Sequence, residues 1–247
     1  MASAAEQLAA NLNFSSFAKA KDLQSRIWFT LGALLVYRLG TFLPIPGIDI
    51  AAFESAFNTA KGGILGMFDT FSGGAVKRLA IFALNVMPYI SASIILQLLG
   101  SFPGRLEQLK KEGEAGRAQI NQYTRYLAVL LAIFQSWGIA KGLEGSHGVV
   151  ANPGLIFEVS TVVTLTGGTL FLMWLGEIMT EFGIGNGLSM LIFAGIVAVV
   201  PQVASQIYFA FQIEDLVTYI VFAILAIAMI LLVVYITEAE RPIPVTY

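Results

Sequence analysis

The sequence has no cysteine, a single histidine (His147) and few charged residues, which make up 12% of its 247 residues. The lack of cysteine excludes disulfide frameworks, thiolate zinc sites and cysteine nucleophiles, and a single histidine excludes an H-E-x-x-H metal helix. The 14 basic and 16 acidic residues leave a net charge of −2. Because there is no overall basic field to attract phosphates, direct binding of nucleic acid is not expected.

Hydrophobic residues, in contrast, make up 57% of the chain, and the mean hydropathy is +0.77. A helix needs about 20 apolar residues to cross the hydrocarbon core of a bilayer. Four uncharged stretches meet this requirement, at 79–104, 159–176, 182–213 and 216–237. Two weaker stretches, 27–43 with Arg38 inside it and the short 126–140, bring the prediction to six spans. The sequence therefore predicts an all-α polytopic membrane protein.

The basic residues outside these spans predict the orientation. Lys19, Lys21 and Arg26 precede the first span, and no A-x-A cleavage site follows it, so residues 1–26 are read as a retained cytoplasmic segment. Most of the other basic residues fall on the same side once six crossings are drawn. Both ends of the chain are therefore predicted to be cytoplasmic.

A short apolar segment lies between the first two predicted spans. It follows the corner Pro44-Ile45-Pro46-Gly47, covers Ile64–Phe71, and ends at Ser72-Gly73-Gly74. It is too short to span, so it is predicted to be a half-helix that folds back into the bundle, where protein satisfies its backbone amides. An amphipathic helix lying at the headgroups explains the same residues.

Charged groups inside membrane spans are the usual functional candidates, and here they are Arg38, Glu158 and Glu177. Both glutamates lie at span ends, and the lack of a mid-span carboxylate disfavours a proton relay. Arg38 is expected to snorkel or to cap nearby carbonyls. Pro88 is expected to kink the second span, and Asn186 or Ser189 to cap the start of the fifth.

Several polar and aliphatic side chains are open to two interpretations. Ser91, Gln97, Thr124 and Gln135 are able to bond neighbouring helices together, or to form a polar seam along which two helices separate. Val86 and Ile90, like Leu188 and Ile192, are four residues apart on a helix and by themselves indicate only packing.

Six strings of residues together resemble the bacterial SecY family, the channel subunits of the general protein translocase. These strings are Pro44-Ile45-Pro46-Gly47-Ile48-Asp49, Met67-Phe68 with Phe71-Ser72-Gly73-Gly74, Met87-Pro88-Tyr89-Ile90-Ser91-Ala92-Ser93-Ile94-Ile95, Lys110-Lys111-Glu112-Gly113-Glu114, Gln122-Tyr123-Thr124-Arg125-Tyr126 and Gly183-Ile184-Gly185-Asn186-Gly187. The resemblance implies a channel that passes unfolded secretory polypeptides across the membrane and releases apolar segments sideways into lipid, without enzymatic activity and without a cofactor.

The resemblance also assigns residues to parts of such a channel. It implies a plug at 64–76, with the residues Ile64, Leu65, Met67, Phe68, Phe71, Ser72, Gly73 and Gly74. It implies a pore ring that includes Val86, Ile90, Leu188 and Ile192, and a lateral gate that includes Ser91 and Gln135. The cytosolic loop 101–125, with Lys110, Lys111, Glu112 and Arg117, is the implied contact for the SecA motor or the ribosome. SecE and SecG are the implied companion subunits.

The match departs from the family pattern in three respects. The family has ten spans in two inverted halves, and this sequence predicts six. Residues 27–213 are then the first half of the channel, and 214–247 are the sixth span and the start of a cytoplasmic loop. Phe182 stands where the family usually has a basic residue, and Asn85 is larger than the small residue expected beside the pore.

Two other functions remain open from the residues alone. The first is a small-solute secondary transporter that uses the broken segment at 64–74 as a binding half-helix. The second is a membrane-insertion factor without a pore.

Overall fold

The computed structural model describes residues 21–60, 64–102, 105–146, 148–210 and 216–238, and every regular element in them is a helix. The helices are α1 Lys21–Gly40, α2 Ile50–Ala60, α3 Ile64–Phe71, α4 Met87–Leu99, α5 Arg105–Lys111, α6 Glu114–Glu144, α7 Leu155–Phe182, α8 Gly187–Ala210 and α9 Leu216–Glu238. The predicted all-α class is confirmed. Most of the predicted cytoplasmic segment 1–26 and the predicted loop start after 238 lie outside the described residues.

The chain divides into two compact units, which meet in sequence at residue 200. In the first unit, α6 packs against α4, α5 and α7, and α1 packs against α7. The buried face of α6 carries small residues at every fourth position, namely Ala128, Ala132, Ser136 and Ala140. Such a stripe lets the backbones of neighbouring membrane helices approach closely. The Ser136 and Thr166 hydroxyls lie 3.4 Å apart across the α6–α7 contact.

The second unit begins at residue 200 and contains α9. The side chains described between 217 and 237 are almost all exposed and almost all apolar. Among the described residues, four helices are long and apolar enough to cross a membrane: the helices of Glu114–Glu144, Leu155–Phe182, Gly187–Gln206 and Val217–Thr237.

The predicted second span, 79–104, is wrong over its first part, because α4 begins only at Met87. Leu79 and Asn85 have φ values of 44° and 50°, which a right-handed helix does not contain. The Ile45 amide donates to the Leu79 carbonyl at 2.9 Å, and the Ile81 amide donates to the Leu43 carbonyl at 2.9 Å. The apolar residues of 79–86, all buried except the partly exposed Ile81, thus lie in irregular backbone that other parts of the protein hydrogen-bond.

Pro88 is the second residue of α4 and does not kink it, which corrects a second expectation. It occupies the first turn, where a missing N–H leaves no helical hydrogen bond unmade. The third predicted span, 126–140, lies within α6, which begins earlier, at Glu114. The predicted cytosolic loop 101–125 is therefore mostly helical, with α5 and α6 joined at Gly113. Phe182 was placed at the start of the fifth span but ends α7.

The half-helix expected before the Gly-Gly break is present as α3, which ends at Phe71. Gly73 and Gly74 follow it with φ values of 67° and 85°. This is the left-handed region, which glycine enters without steric cost. The chain therefore reverses at once and runs into the irregular segment 79–86.

Candidate functional site

The four residues assigned to a pore ring lie in a single apolar cluster. Val86 is 1% exposed and packs with buried residues of three helices, which are Ala33 and Tyr37 of α1, Leu172, Leu175 and Met179 of α7, and Leu191 of α8. Ile90, Leu188 and Ile192 pack against this cluster. Gly176 of α7 makes room for Leu188, because a Cβ added at 176 would lie 2.6 Å from the Leu188 Cδ2 atom. We call the aliphatic members of this group the aliphatic cluster; they are Val86, Ile90, Leu188 and Ile192 with Ala33, Leu172, Leu175 and Leu191.

The C-terminal end of α3 lies directly against α8. A Cβ added at Gly195 would stand 2.5 Å from the Phe71 carbonyl oxygen, and one added at Gly73 would stand 3.1 Å from the Gly195 oxygen. Atoms at such distances overlap, since carbon atoms in contact are about 3.5–4.0 Å apart. The absence of a side chain at Gly195 therefore creates the notch in which the end of α3 sits. Of the two alternatives drawn for this segment, the fold-back against other helices is the one that these contacts support.

Three side chains donate hydrogen bonds to three successive carbonyls at this end of α3. The Asn85 Nδ2 atom donates to the Phe71 oxygen at 2.9 Å, and the Tyr37 hydroxyl donates to the Ser72 oxygen at 3.4 Å. The Arg38 Nη1 atom donates to the Gly73 oxygen at 2.7 Å. Arg38 thus caps a carbonyl as predicted, but this carbonyl lies 35 residues away in sequence. Its guanidinium also lies over the Phe42 ring, 4.9 Å from the centroid.

A cavity of about 410 Å³ joins the end of α3 to the two residues assigned to a lateral gate. Ser91 of α4 and Gln135 of α6 both line it, together with Phe68, Phe71 and Ser72. Its remaining lining residues are Val76, Ala83, Leu84, Asn85, Met87, Gly138 and Ile139. None of these lining residues is charged. Gln97 and Thr124, which were also considered for interhelical bonds, instead bond within their own helices.

The two span-end glutamates form ion pairs between α6 and α7. Glu177 lies 2.7 Å from the Arg125 Nε atom, and Glu158 lies 2.5 Å from the Lys141 Nζ atom. These pairs stand near opposite ends of the α6–α7 contact. Each pair links the two helices, and neither glutamate lines the cavity.

The residues assigned to a cytosolic contact lie apart from the cavity. Lys110, Lys111, Glu112 and Arg117 are all exposed. The Lys111 ammonium pairs with Glu107 at 2.7 Å, and the Lys110 ammonium donates to the Gln97 oxygen at 3.3 Å.

The turn after α7, which lacks a basic residue of its own, receives one from α1. Arg26 donates to the Glu181 and Gly183 carbonyls, each at 3.4 Å, and the Ile184 amide donates to the Thr30 hydroxyl at 3.2 Å. Phe182 stacks edge-on against Phe29, with 6.1 Å between the ring centroids. Asn186 caps α8 by accepting from the Ser189 amide at 3.0 Å, so it is Asn186, of the two predicted candidates, that forms the cap.

Sequence reasoning missed Tyr37 and Gly195, and it noted Asn85 only as a departure from a pattern. Tyr37 gave no signal, because a lone tyrosine in an apolar helix is usually packing. Asn85 did give a signal, since a buried carboxamide inside an apolar stretch usually has a hydrogen-bond partner.

The geometry defines a class of protein: a helical membrane protein in which a short helix folds back against an aliphatic cluster that several longer helices share. Comparison with known proteins narrows this class. A family model described as SecY matches residues 80–247. The chain belongs to the SecY family.

Curated relatives agree with this family. "Protein translocase subunit SecY" of Vibrio cholerae is 51% identical over 229 residues, and that of Escherichia coli K12 is 49% identical over 231 residues. Each alignment covers 92% of this chain and 52% of the relative. The counterpart of Buchnera aphidicola subsp. Acyrthosiphon kondoi is 50% identical, with 92% and 65% covered. The chain therefore spans about half to two thirds of the length of these relatives.

Two solved structures share the fold. The Sec61 channel in the canine ribosome-channel complex from the endoplasmic reticulum has a TM-score of 0.61 over 90% of this chain and 49% of its own, at 19% identity. A second structure, described as a protein conducting channel, has a TM-score of 0.53 over 72% of this chain and 37% of its own, at 18% identity. At these identities the likeness concerns the fold alone.

Proposed function

We propose that this chain supplies part of the wall of a protein-conducting channel through which unfolded polypeptides cross the membrane. The observation that carries the proposal is the aliphatic cluster, in which Val86 and Ile90 from one segment of chain meet Leu188 and Ile192 from another. These four residues form this chain's share of the constriction, and α3 with the turn after it forms the plug.

The chemistry of the aliphatic cluster suits such a constriction. Aliphatic side chains offer water and ions no hydrogen-bond partner, so a narrow collar of them stays dry and blocks leakage. The same side chains deform around a passing chain of any sequence without binding it tightly, since dispersion contacts are individually weak and non-directional.

The cavity beside α3 is the part of the proposal that concerns sideways release. Ser91 and Gln135 belong to α4 and α6, the two helices assigned to one wall of the lateral gate, and both face the cavity. An apolar segment leaving through this wall gains a few tenths of a kcal/mol per leucine, whereas each charge at the membrane centre costs about 2.5–3.5 kcal/mol. The substrate's own sequence then decides between crossing and release.

The proposal extends to partners and location. The relatives are translocase subunits, so companion subunits of the SecE and SecG kind are expected, with both chain ends in the cytoplasm and the protein in the inner membrane. The exposed residues Lys110, Lys111, Glu112 and Arg117 are the proposed contact for the SecA motor or the ribosome. A solute transporter is disfavoured, because the lining of the cavity among the described residues carries no carboxylate that would couple an ion.

Site-specific crosslinking to a stalled secretory chain tests the function. Photoreactive probes are placed in the full chain at Val86, Ile90, Leu188 and Ile192. Matched controls carry the probe at Ile94 of α4 and Phe193 of α8, which are apolar residues of the same helices that are 52% and 58% exposed. We expect adducts at the four cluster positions and few at the controls. Labelling at none of the four, or labelling only at Ile94 and Phe193, would contradict the proposed channel.

A further inference from the structure

The last carbonyls of a helix have no partner within the helix and carry a partial negative charge. Phe71 is the last residue of α3, and Ser72 and Gly73 are the first two residues of the turn that follows it. The carbonyls of these three residues receive the Asn85 amide, the Tyr37 hydroxyl and the Arg38 guanidinium in that order. Two of these donors come from α1 and the third from the residue next to Val86. Water satisfies such carbonyls in many proteins. Here the fold directs three side chains to them instead.

Asn85 is the most constrained of the three donors. It is 3% exposed, and its φ of 50° lies in the left-handed region, which asparagine tolerates better than most residues but less well than glycine. Its Oδ1 atom has no hydrogen-bond partner in the described part of the chain. Turning the amide over would set Oδ1 against the Phe71 oxygen, and two acceptors repel. The side chain is therefore buried in a single useful orientation, with its donor towards α3.

The position of Asn85 in the chain links two parts of the site. Val86 follows it directly and is among the most buried residues of the aliphatic cluster. A passing polypeptide that pushes Val86 outward must rotate the backbone at 85–86. Because a hydrogen bond weakens steeply with angle and distance, this rotation withdraws the Asn85 amide from the Phe71 oxygen.

We propose that Asn85 is a positioning residue that, together with Tyr37 and Arg38, holds the end of α3 in the notch at Gly195 and releases it when Val86 moves. In this arrangement widening of the aliphatic cluster and release of α3 are one mechanical event. The inference rests on the proposed function for the meaning of that event, but its test needs no translocating substrate.

The absence of cysteine from the sequence makes the test clean, because one introduced thiol is the only one present. Ser72→Cys places it at a residue that is 2% exposed, beside the carbonyl bound by Tyr37. The Ser72 hydroxyl bonds the Asp69 oxygen and the Val76 amide, so every variant, including the control, is compared with Ser72→Cys alone. The purified full chain in detergent is treated with a water-soluble maleimide, and the rate of labelling reports how often the end of α3 leaves its notch.

Two variants are compared in the Ser72→Cys background. Asn85→Gly removes the amide and keeps a residue suited to positive φ, and Tyr37→Phe removes one hydroxyl at nearly constant volume. Thr124→Val is the matched control, because it deletes a buried hydroxyl that bonds within α6. We expect labelling about fivefold faster in each test variant, which corresponds to about 1 kcal/mol, the typical net value of one hydrogen bond. The control should label at the background rate.

An unchanged or slower rate in Asn85→Gly overturns the inference, because Asn85 would then make no net contribution to holding the end of α3 in place. An equal rise in Thr124→Val also overturns it, because general loosening would explain the labelling. Circular dichroism and gel filtration establish that each variant is folded. Faster labelling together with failed crosslinking at the aliphatic cluster would contradict the proposed channel and support the role of Asn85. Successful crosslinking together with unchanged labelling would support the channel and contradict the role of Asn85.

Discussion

Gly167 and Gly168 in α7 allow one chemical change to be compared at two adjacent positions. A Cβ added at Gly168 would stand 2.1 Å from the Ile81 carbonyl oxygen and 3.2 Å from the Phe82 ring, whereas one added at Gly167 would meet nothing within 4 Å. Both glycines lie inside a helix, so alanine at either position gains about 1 kcal/mol from helix propensity alone.

At Gly168 the close contact offsets or outweighs this gain in stability. Ile81 belongs to the irregular segment 79–86, whose backbone is bonded to 43–45 and cannot swing aside as a flexible side chain would. Overpacking of this kind costs about 1–3 kcal/mol. We therefore expect Gly167→Ala to be as stable as the unsubstituted chain or slightly more so. Because the propensity gain is the same in both variants, Gly168→Ala should be less stable than Gly167→Ala by the overpacking cost alone, about 1–3 kcal/mol.

Thermal unfolding of the two variants in the same detergent, followed by circular dichroism, measures the difference in midpoint. A lower midpoint for Gly168→Ala than for Gly167→Ala is the expected order. Equal midpoints would refute the close approach of α7 to the Ile81 carbonyl.

Two further substitutions test other parts of the structure. Asn186→Ala should destabilise the start of α8 by about 1 kcal/mol, because it removes the cap. Ser189→Ala should not, because the capping bond uses the Ser189 backbone amide. Thermal unfolding compares the two variants, and equal effects would contradict the cap. A double-mutant cycle of Arg125→Gln and Glu177→Gln should give a coupling free energy of about 0.2–1 kcal/mol, because both side chains are more than a third exposed. A coupling of several kcal/mol would contradict this exposure.

The sequence predicted α3 well, because that prediction needed only local information. An apolar run too short to span, followed by Ser72-Gly73-Gly74, specifies a short helix that stops. The cap at Asn186 and the long apolar helices were predictable for the same reason, since their signals are periodicity, length and end residues.

The segment 79–86 was predicted wrongly because hydrophobicity reports burial and not conformation. Its residues are buried, as their character requires, but bonds to 43–45 and the left-handed backbone at Leu79 and Asn85 keep them out of a helix. Those bonds join residues more than 30 positions apart, and no local pattern encodes them. Helicity in 105–125 was missed for a related reason, since charge there was taken as a sign of a loop.

By itself the sequence determined that this protein lies in a membrane, that its regular elements are helices and, through the motifs of the SecY family, which positions to examine. Only the tertiary structure decided that the end of α3 lies in a notch at Gly195, that Tyr37, Arg38 and Asn85 donate to it, and that Ser91 and Gln135 share its cavity. The physical reason is the distance along the chain over which each interaction acts. Propensity and hydrophobic burial act along a few residues, whereas a hydrogen bond or a close backbone approach depends on which distant residues packing brings together.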